Sequence, residues 1–219
     1  MSNYIKFLPD YLIKKYRGWK ETIYENNKSW YNKISIEGQK PSAMVISCCD
    51  SRIHVTSIFG ADSGEFFIHR NIANLVPPYN PNGDHHGTSA AVEYAVKILK
   101  VSNIIIMGHS KCGGINNGYH LCKGNFNNKL ETIFMDKWLN ILKPAFKKVL
   151  SNNKNITDEV GIEILEKESI KTSLNNLIKF PFIKSSLDKQ ELALHGLWHD
   201  IGTGSIESLD PISLKFVKI

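Results

Sequence analysis

The sequence predicts an α/β fold: a central, mostly parallel β-sheet flanked by helices, with an N-terminal helical arm and a C-terminal strand hairpin. Three observations predict it. Ala43–Cys48 and Asn103–Gly108 are short apolar runs rich in Val and Ile, the length and composition of buried strands. Between them, Ala91, Val92, Ala95, Val96 and Leu99 fall on one face of a helix that Thr88 or Ser89 can cap and that runs to about Lys100. Two buried strands joined through a helix imply parallel pairing with a right-handed crossover.

The remaining elements follow in order. Over residues 4–36, Phe7, Leu8, Leu12, Tyr16, Trp19, Ile23, Trp30 and Ile34 recur near helical spacing. Pro9 and Gly18 are expected to break this arm into pieces, and it can cover its own core or a partner subunit. Glu65–Arg70 is a further strand, and Pro77-Pro78 with Asn80-Pro81-Asn82-Gly83 makes a loop. Residues 129–188 read as largely helical, with Thr157, Asp158 and Glu159 marking a helix start. Leu192–Gly196 returns to strand. Gly202 and Gly204 mark a turn before a closing hairpin at 206–209 and 214–217. No internal repeat or long linker appears, so a single domain over 1–219 is expected, with an arm at 1–37 and the α/β core at 38–219.

Composition narrows the function classes. With 42% hydrophobic and 22% charged residues, extended disorder and coiled coil are excluded. Four cysteines in 219 residues are too few for a disulfide-stapled scaffold. No run approaches about 18 apolar residues, so no membrane partner is expected. Met1–Asp10 lacks the pattern of a secretory signal, which makes a reducing cytoplasm the expected compartment. The net charge of +6 comes from scattered Lys and Arg, which reads as a solvated surface and not as a nucleic-acid site.

The chemistry concentrates at two strand ends. Cys48-Cys49-Asp50-Ser51-Arg52 and Gly108-His109-Ser110-Lys111-Cys112-Gly113-Gly114 each begin where a predicted parallel strand stops, and in open α/β sheets ligands bind there. If the strands are neighbours, Cys48 and His109 emerge side by side, and the glycines let Cys112 fold back to the same point. Two thiolates and an imidazole suit zinc, and three protein ligands leave a position open, as in catalytic sites. His120 and Cys122 are possible fourth ligands but lie past Gly113-Gly114 and Gly118. Asp50 and Arg52 can form a bidentate pair that keeps the carboxylate ionised beside the metal. Gly108–Cys112 also approaches a G-x-S-x-G nucleophile elbow but has Cys112 at the fifth position. Singly, each feature has a bland reading: a buried small hydrophobe, a chance H-x-x-C, a surface ion pair. Neighbouring strand residues face opposite ways, so Cys49 is expected in the core.

At these residues the sequence resembles the β-class carbonic anhydrases. The resemblance rests on C-x-D-S-R at Cys48–Arg52 and G-H-x-x-C-G-G at Gly108–Gly114. Ile58–Ala61, Arg70–Pro78, Ala91–Ala95, Leu194–Gly196 and Gly202–Gly204 continue it, and it is strongest over roughly 38–115. It implies a zinc enzyme for reversible hydration of CO2 to bicarbonate and a proton, by attack of a zinc-bound hydroxide. It implies one zinc per subunit, held by Cys48, His109 and Cys112, with an Asp50–Arg52 dyad orienting the hydroxide. It further implies that Gln39 and the Gly113 N–H hold substrate and that Phe67, Ile72 and Tyr94 form an apolar pocket, partly presented by the other subunit of a homodimer or homotetramer. A subtype with bicarbonate-regulated closure carries Trp five residues before the Asp. Val45 stands there, which favours the open subtype. Two departures remain: Trp198-His199 replaces a more usual Val-Tyr, with His199 expected to be exposed, and His54, His85 and His86 are proton-shuttle candidates only by reach in sequence. A subunit without turnover and a hydrolase for a CO2 analogue are the alternatives on the same fold.

Overall fold

The computed structural model describes residues 4–83, 86–124, 132–153 and 155–219; His85 lies outside them. The chain divides between Lys40 and Pro41 into two compact units. No described helix is long and apolar enough to cross a membrane.

The first unit is helical. Helix α1 (Asp10–Trp19) starts directly after Pro9, whose fixed φ suits a helix entry. Gly18 does not break it. The chain continues helically through a wider turn at Lys20–Tyr24, and the break falls at Asn27, before α2 (Lys28–Glu37). Trp19 explains the continuity: its ring lies against Tyr16, Tyr24 and Tyr31, so aromatic contact offsets the low helix propensity of glycine.

The second unit holds a six-stranded sheet. Its strands are β1 (Ala43–Cys48), β2 (Phe66–Asn71), β3 (Asn103–His109), β4 (Ala193–His199), β5 (Ile206–Leu209) and β6 (Phe216–Lys218), in the order β2-β1-β3-β4-β5-β6. The first four are parallel, and the last two form the antiparallel hairpin. Every residue of β1 is buried, as expected of a strand covered on both faces. One face carries Met44, Ile46, Ile104, Ile106 and Trp198 into a core with Val92, Ala95, Ile170 and Leu174. The other carries Val45, Met107 and Leu197 against Val55 and Ile58, which belong to α3 (Val55–Phe59).

The crossover helix differs from expectation at both ends. Helix α4 (Gly87–Glu93) begins at Gly87 with no side-chain cap and gives way to a wider turn over Tyr94–Ile98. The Thr88 hydroxyl is engaged elsewhere, with His69 Nε2 at 2.9 Å and the Asn71 side-chain N–H at 3.3 Å.

Helices α5 (Gly113–Lys123), α6 (Ile133–Leu139), α7 (Lys143–Asn152), α8 (Asp158–Ile178) and α9 (Pro181–Asp188) complete the unit. Thr157 caps α8, accepting from Val160 N–H as its sequence pattern requires. Leu139, Leu142, Phe146, Tyr119 and Leu165 form a further core, which Cys48 and Cys112 join at its edge.

Glu168 fastens α8 to α7. It accepts from Lys148 at 2.7 Å and from Lys171 at 2.7 Å. Burial alone would raise its carboxyl, but the two ammonium partners outweigh it and hold the group below its ordinary value. A depressed folded pKa contributes stability above the unfolded value of about 4.3 that is lost as pH falls through the folded one. Glu168→Gln should therefore cost about 1 kcal/mol at pH 7, and the Tm gap to wild type should narrow in thermal unfolding as pH falls through the carboxyl's lowered folded value.

Candidate metal centre

The β1 and β3 strands are neighbours, with Ser47 opposite Met107, so Cys48 and His109 leave the sheet together. Lys111 then takes a left-handed conformation, φ 56°, which turns Cys112 back at the start of α5. Such a conformation costs a non-glycine residue about 1–3 kcal/mol and persists only where surrounding contacts impose it.

Two glycines of the motif, Gly108 and Gly114, serve close approach. A Cβ on Gly114 would lie 3.1 Å from the Ala73 Cβ and 3.3 Å from the Ala73 N. Only glycine lets α5 sit this close to the turn at Ile72–Asn74. One on Gly108 would lie 2.8 Å from Ile170 of α8.

Cys48, His109 and Cys112 converge, with one ligand atom from each within 4.8 Å of the others and all three buried. The Cys48 and Cys112 Sγ atoms are 3.8 Å apart, and all four cysteines are free thiols. Two sulfurs at about 2.3 Å from a tetrahedral zinc stand about 3.8 Å apart, so the thiol pair already has the spacing zinc needs. His109 Nδ1 lies 2.9 Å from the Ser110 carbonyl oxygen. A carbonyl only accepts, so Nδ1 carries the proton and Nε2 presents a lone pair. That Nε2 is buried with no hydrogen-bond partner, an arrangement that a metal ion would satisfy.

The electrostatics agree. The hydrogen bond between the two sulfurs pulls the Cys48 thiol down against the effect of burial, assisted by His109 and by the Asp50 and Ala73 backbone N–H groups. The same bond, with burial, pushes Cys112 up. The two sulfurs thus favour sharing a proton, and a cation that displaces it gains two thiolate ligands. Burial opposes charging His109, but the Cys48 sulfur and the Ser110 carbonyl outweigh it and raise the imidazole.

Asp50 and Arg52 form the expected pair. The Arg52 Nε–H and backbone N–H donate to Asp50 Oδ1 at 2.9 and 3.0 Å, and the Nη2–H donates to Oδ2 at 2.7 Å. This guanidinium holds the Asp50 carboxyl well below the usual carboxylate range. Oδ2 lies 4.0 Å from His109 Nε2, beside the cluster and outside it.

The other candidate residues scatter. His120 and Cys122 lie along α5 and do not belong to the cluster. His54 Nδ1 caps α3, accepting from Ser57 N–H. Phe67 and Tyr94 stack on each other at 5.8 Å, whereas Ile72 lines an apolar cavity of about 730 Å³ with Cys49, His69 and Trp138. Gln39 follows α2 in the first unit and is exposed. Gly113 is the first residue of α5.

Two expectations are corrected. Cys49 is exposed, because β1 stops at Cys48 and strand alternation no longer applies beyond it. His199 is buried, because it is the last residue of β4 and pairs with His109 on one side and Ile206 on the other.

Three residues at the centre have no role in the sequence reading. The Arg70 Nε–H donates to Cys48 O at 2.9 Å and its Nη2–H to Asp50 O at 2.7 Å, which clamps the turn that carries both. Glu166 is 2% exposed. Its Oε1 accepts from Cys112 N–H at 3.1 Å and its Oε2 from the indole N–H of Trp198, the third residue, at 3.2 Å. A signal for Glu166 is present in the sequence: it shares a helical face with Ile162, Ser169, Ile170 and Ser173.

The chain matches the carbonic anhydrase family over residues 43–206. Beta carbonic anhydrase 3 of Arabidopsis thaliana is 36% identical over 189 residues, covering 86% of this chain and 72% of that protein. Among solved structures, the β-carbonic anhydrase CcaA is 31% identical with a TM-score of 0.89, covering 96% of this chain and 91% of its own. A tetrameric β-carbonic anhydrase of the ascomycete Sordaria macrospora is 31% identical with a TM-score of 0.76, covering 91% and 95%. The β-class enzymes use zinc, and the Cys48, His109 and Cys112 donor set fits that ion. The matched span takes in both strand ends and all three of those donors, and the chain belongs to the β-class carbonic anhydrases.

Proposed function

We propose that this enzyme hydrates CO2 at the Cys48–His109–Cys112 centre with one zinc per subunit, and that the Asp50–Arg52 dyad directs the attack. The observation that carries this is the placement of Asp50 Oδ2, locked by Arg52 and 4.0 Å from the unpartnered His109 Nε2. Zinc, when bound, supplies Lewis acidity that makes water a nucleophile near neutral pH.

The residues of the chain do the positioning. Asp50 Oδ1 takes two Arg52 donors and Oδ2 one, which leaves the second lone pair of Oδ2 to accept a hydrogen from the attacking oxygen and to aim that oxygen at carbon. Arg52 keeps Asp50 ionised, so the carboxylate accepts and does not donate. The Gly113 N–H, at the start of α5, takes an oxygen that gains charge; Gln39 is assigned a substrate-holding role by the family resemblance alone. Ile72, Phe67 and Tyr94 offer apolar surface to an apolar substrate. The intact Asp50–Arg52 pair and Val45 support the open subtype.

The tetrameric Sordaria macrospora relative supports a homodimer or homotetramer. The four free thiols support a reducing compartment such as the cytoplasm. Under this reading the chain works as one catalytic domain with a helical arm.

The test is stopped-flow CO2 hydration by the purified protein, with zinc measured per chain. About one zinc per chain and turnover are expected. Zinc-loaded protein without CO2 turnover would favour a subunit retained without catalysis.

A further inference from the structure

The Lys111–Cys112 peptide is held at both ends. Its carbonyl oxygen accepts from Arg52 Nη2–H at 3.0 Å, and its N–H donates to Glu166 Oε1 at 3.1 Å. The same Nη2 donates to Asp50 Oδ2. A continuous line therefore runs from Glu166 through one peptide plane to Arg52 and Asp50.

The peptide sits where it matters. It joins left-handed Lys111 to the ligand Cys112, so its orientation sets the direction of the Cys112 Sγ. Its carbonyl oxygen sets where the Arg52 fork can rest. A peptide polarised by a carboxylate on its N–H is a stronger acceptor at its oxygen. Metal ligand and dyad thus share one mechanical support.

Glu166 is itself tightly placed. It projects from α8, and its second oxygen accepts from the Trp198 indole on β4. The Lys167 ammonium lies 4.2 Å from the Trp198 ring centroid and pairs with Glu207 at 2.7 Å. A cation over the ring strengthens the indole N–H as a donor. Trp198 is thereby accounted for: an aliphatic residue there would leave the buried Glu166 Oε2 without a donor, which is costly in a water-poor site. Glu166, Trp198, Cys112, Lys111 and Asp200 border a cavity of about 460 Å³ that neither Asp50 nor Arg52 lines.

We propose that Glu166 is a positioning residue that holds the Cys112 ligand and the Arg52 guanidinium in place together, through the Lys111–Cys112 peptide, with Trp198 as its anchor. This rests on the zinc-and-dyad reading of the centre. Outer-shell partners of metal ligands are typically worth about 10–100-fold in metal affinity.

The test uses the full chain and two metals. Zinc affinity is measured by competition with a chromogenic chelator, and ligand geometry by the visible spectrum of the cobalt(II)-loaded protein. Glu166→Gln keeps one acceptor for Cys112 N–H but turns its NH2 against the Trp198 N–H. It should lower zinc affinity about 10–100-fold and shift the cobalt bands. Adding Trp198→Phe removes the opposed donors and should restore most of the loss. Trp198→Phe alone leaves Glu166 in place and should shift the cobalt bands less, which keeps the test open if the single Gln variant fails to fold. Wild-type zinc affinity and an unshifted cobalt spectrum in Glu166→Gln, even with a lowered Tm, would make Glu166 a structural residue only and overturn the proposal. Failure of the wild-type protein to bind either metal would instead sink the reading of the centre.

Discussion

Cys48→Ala is expected to strip the enzyme of zinc and to abolish measurable CO2 hydration. Three side chains converge on the site, so removal of one leaves two ligands where zinc in catalytic sites has three. An outer-shell partner alone is worth about 10–100-fold. A direct thiolate ligand should exceed that, and a fall in zinc affinity of more than about 1,000-fold is expected. The fold should survive. Cys48 ends β1, and the strand is anchored by Met44, Val45 and Ile46, which are fully buried independently of the sulfur. Circular dichroism should therefore stay native while zinc falls to zero. Cys49→Ala is the control: its thiol is exposed beyond the strand end, and zinc and turnover should be retained. A Cys48→Ala protein that still carries one zinc per chain would break the ligand assignment.

The legible part of this molecule was its sheet and its ligand loops, and the reason is physical. Buried parallel strands need continuous apolar runs, so Ala43–Cys48 and Asn103–Gly108 declared themselves, and Cys48, His109 and Cys112 sat where those runs stopped. The Asp50–Arg52 pair was legible because two residues of separation suits a bidentate fork. What escaped depends on contacts between distant segments. Thr88 looked like a cap, yet His69 and Asn71 claim its hydroxyl. Gly18 looked like a break, yet Trp19 packs against three tyrosines and the helix runs on. Cys49 escapes because alternation ends with β1 at Cys48, and His199 because its burial comes from pairing with His109 on one side and Ile206 on the other. Glu166 shows the limit most clearly. Helical spacing puts it on one face with Ile162, Ser169, Ile170 and Ser173, but only the meeting of α8 with the Cys112 loop and β4 gives it the two donors that make burial tolerable.

Asp50→Asn separates the metal from the chemistry. Asp50 is not a ligand in the converged set, so the variant should bind zinc as wild type does. Arg52 decides how the new amide sits. Its backbone N–H and Nε–H both point at Oδ1, so the asparagine oxygen should settle there and leave its NH2 at the Oδ2 position. The atom facing the centre then changes from an acceptor to a donor, and it can no longer take a hydrogen from the attacking oxygen. Losses of about 10²–10⁴-fold in kcat/KM are typical when a positioned acid or base is removed, and a loss in that range is expected. Arg52→Lys keeps the charge but cannot form the fork or reach Oδ2 and Lys111 O together, so a smaller loss is expected. The pH dependence adds a second check. Arg52 holds the Asp50 carboxyl below its usual range, so it is ionised at every pH where activity is measured. The ratio of wild-type to Asp50→Asn activity should thus stay constant from about pH 6 to 9, above any carboxylate titration. A ratio that collapses toward one at the acid end would mean that Asp50 titrates there, and that Arg52 does not hold it in the charged state the mechanism needs.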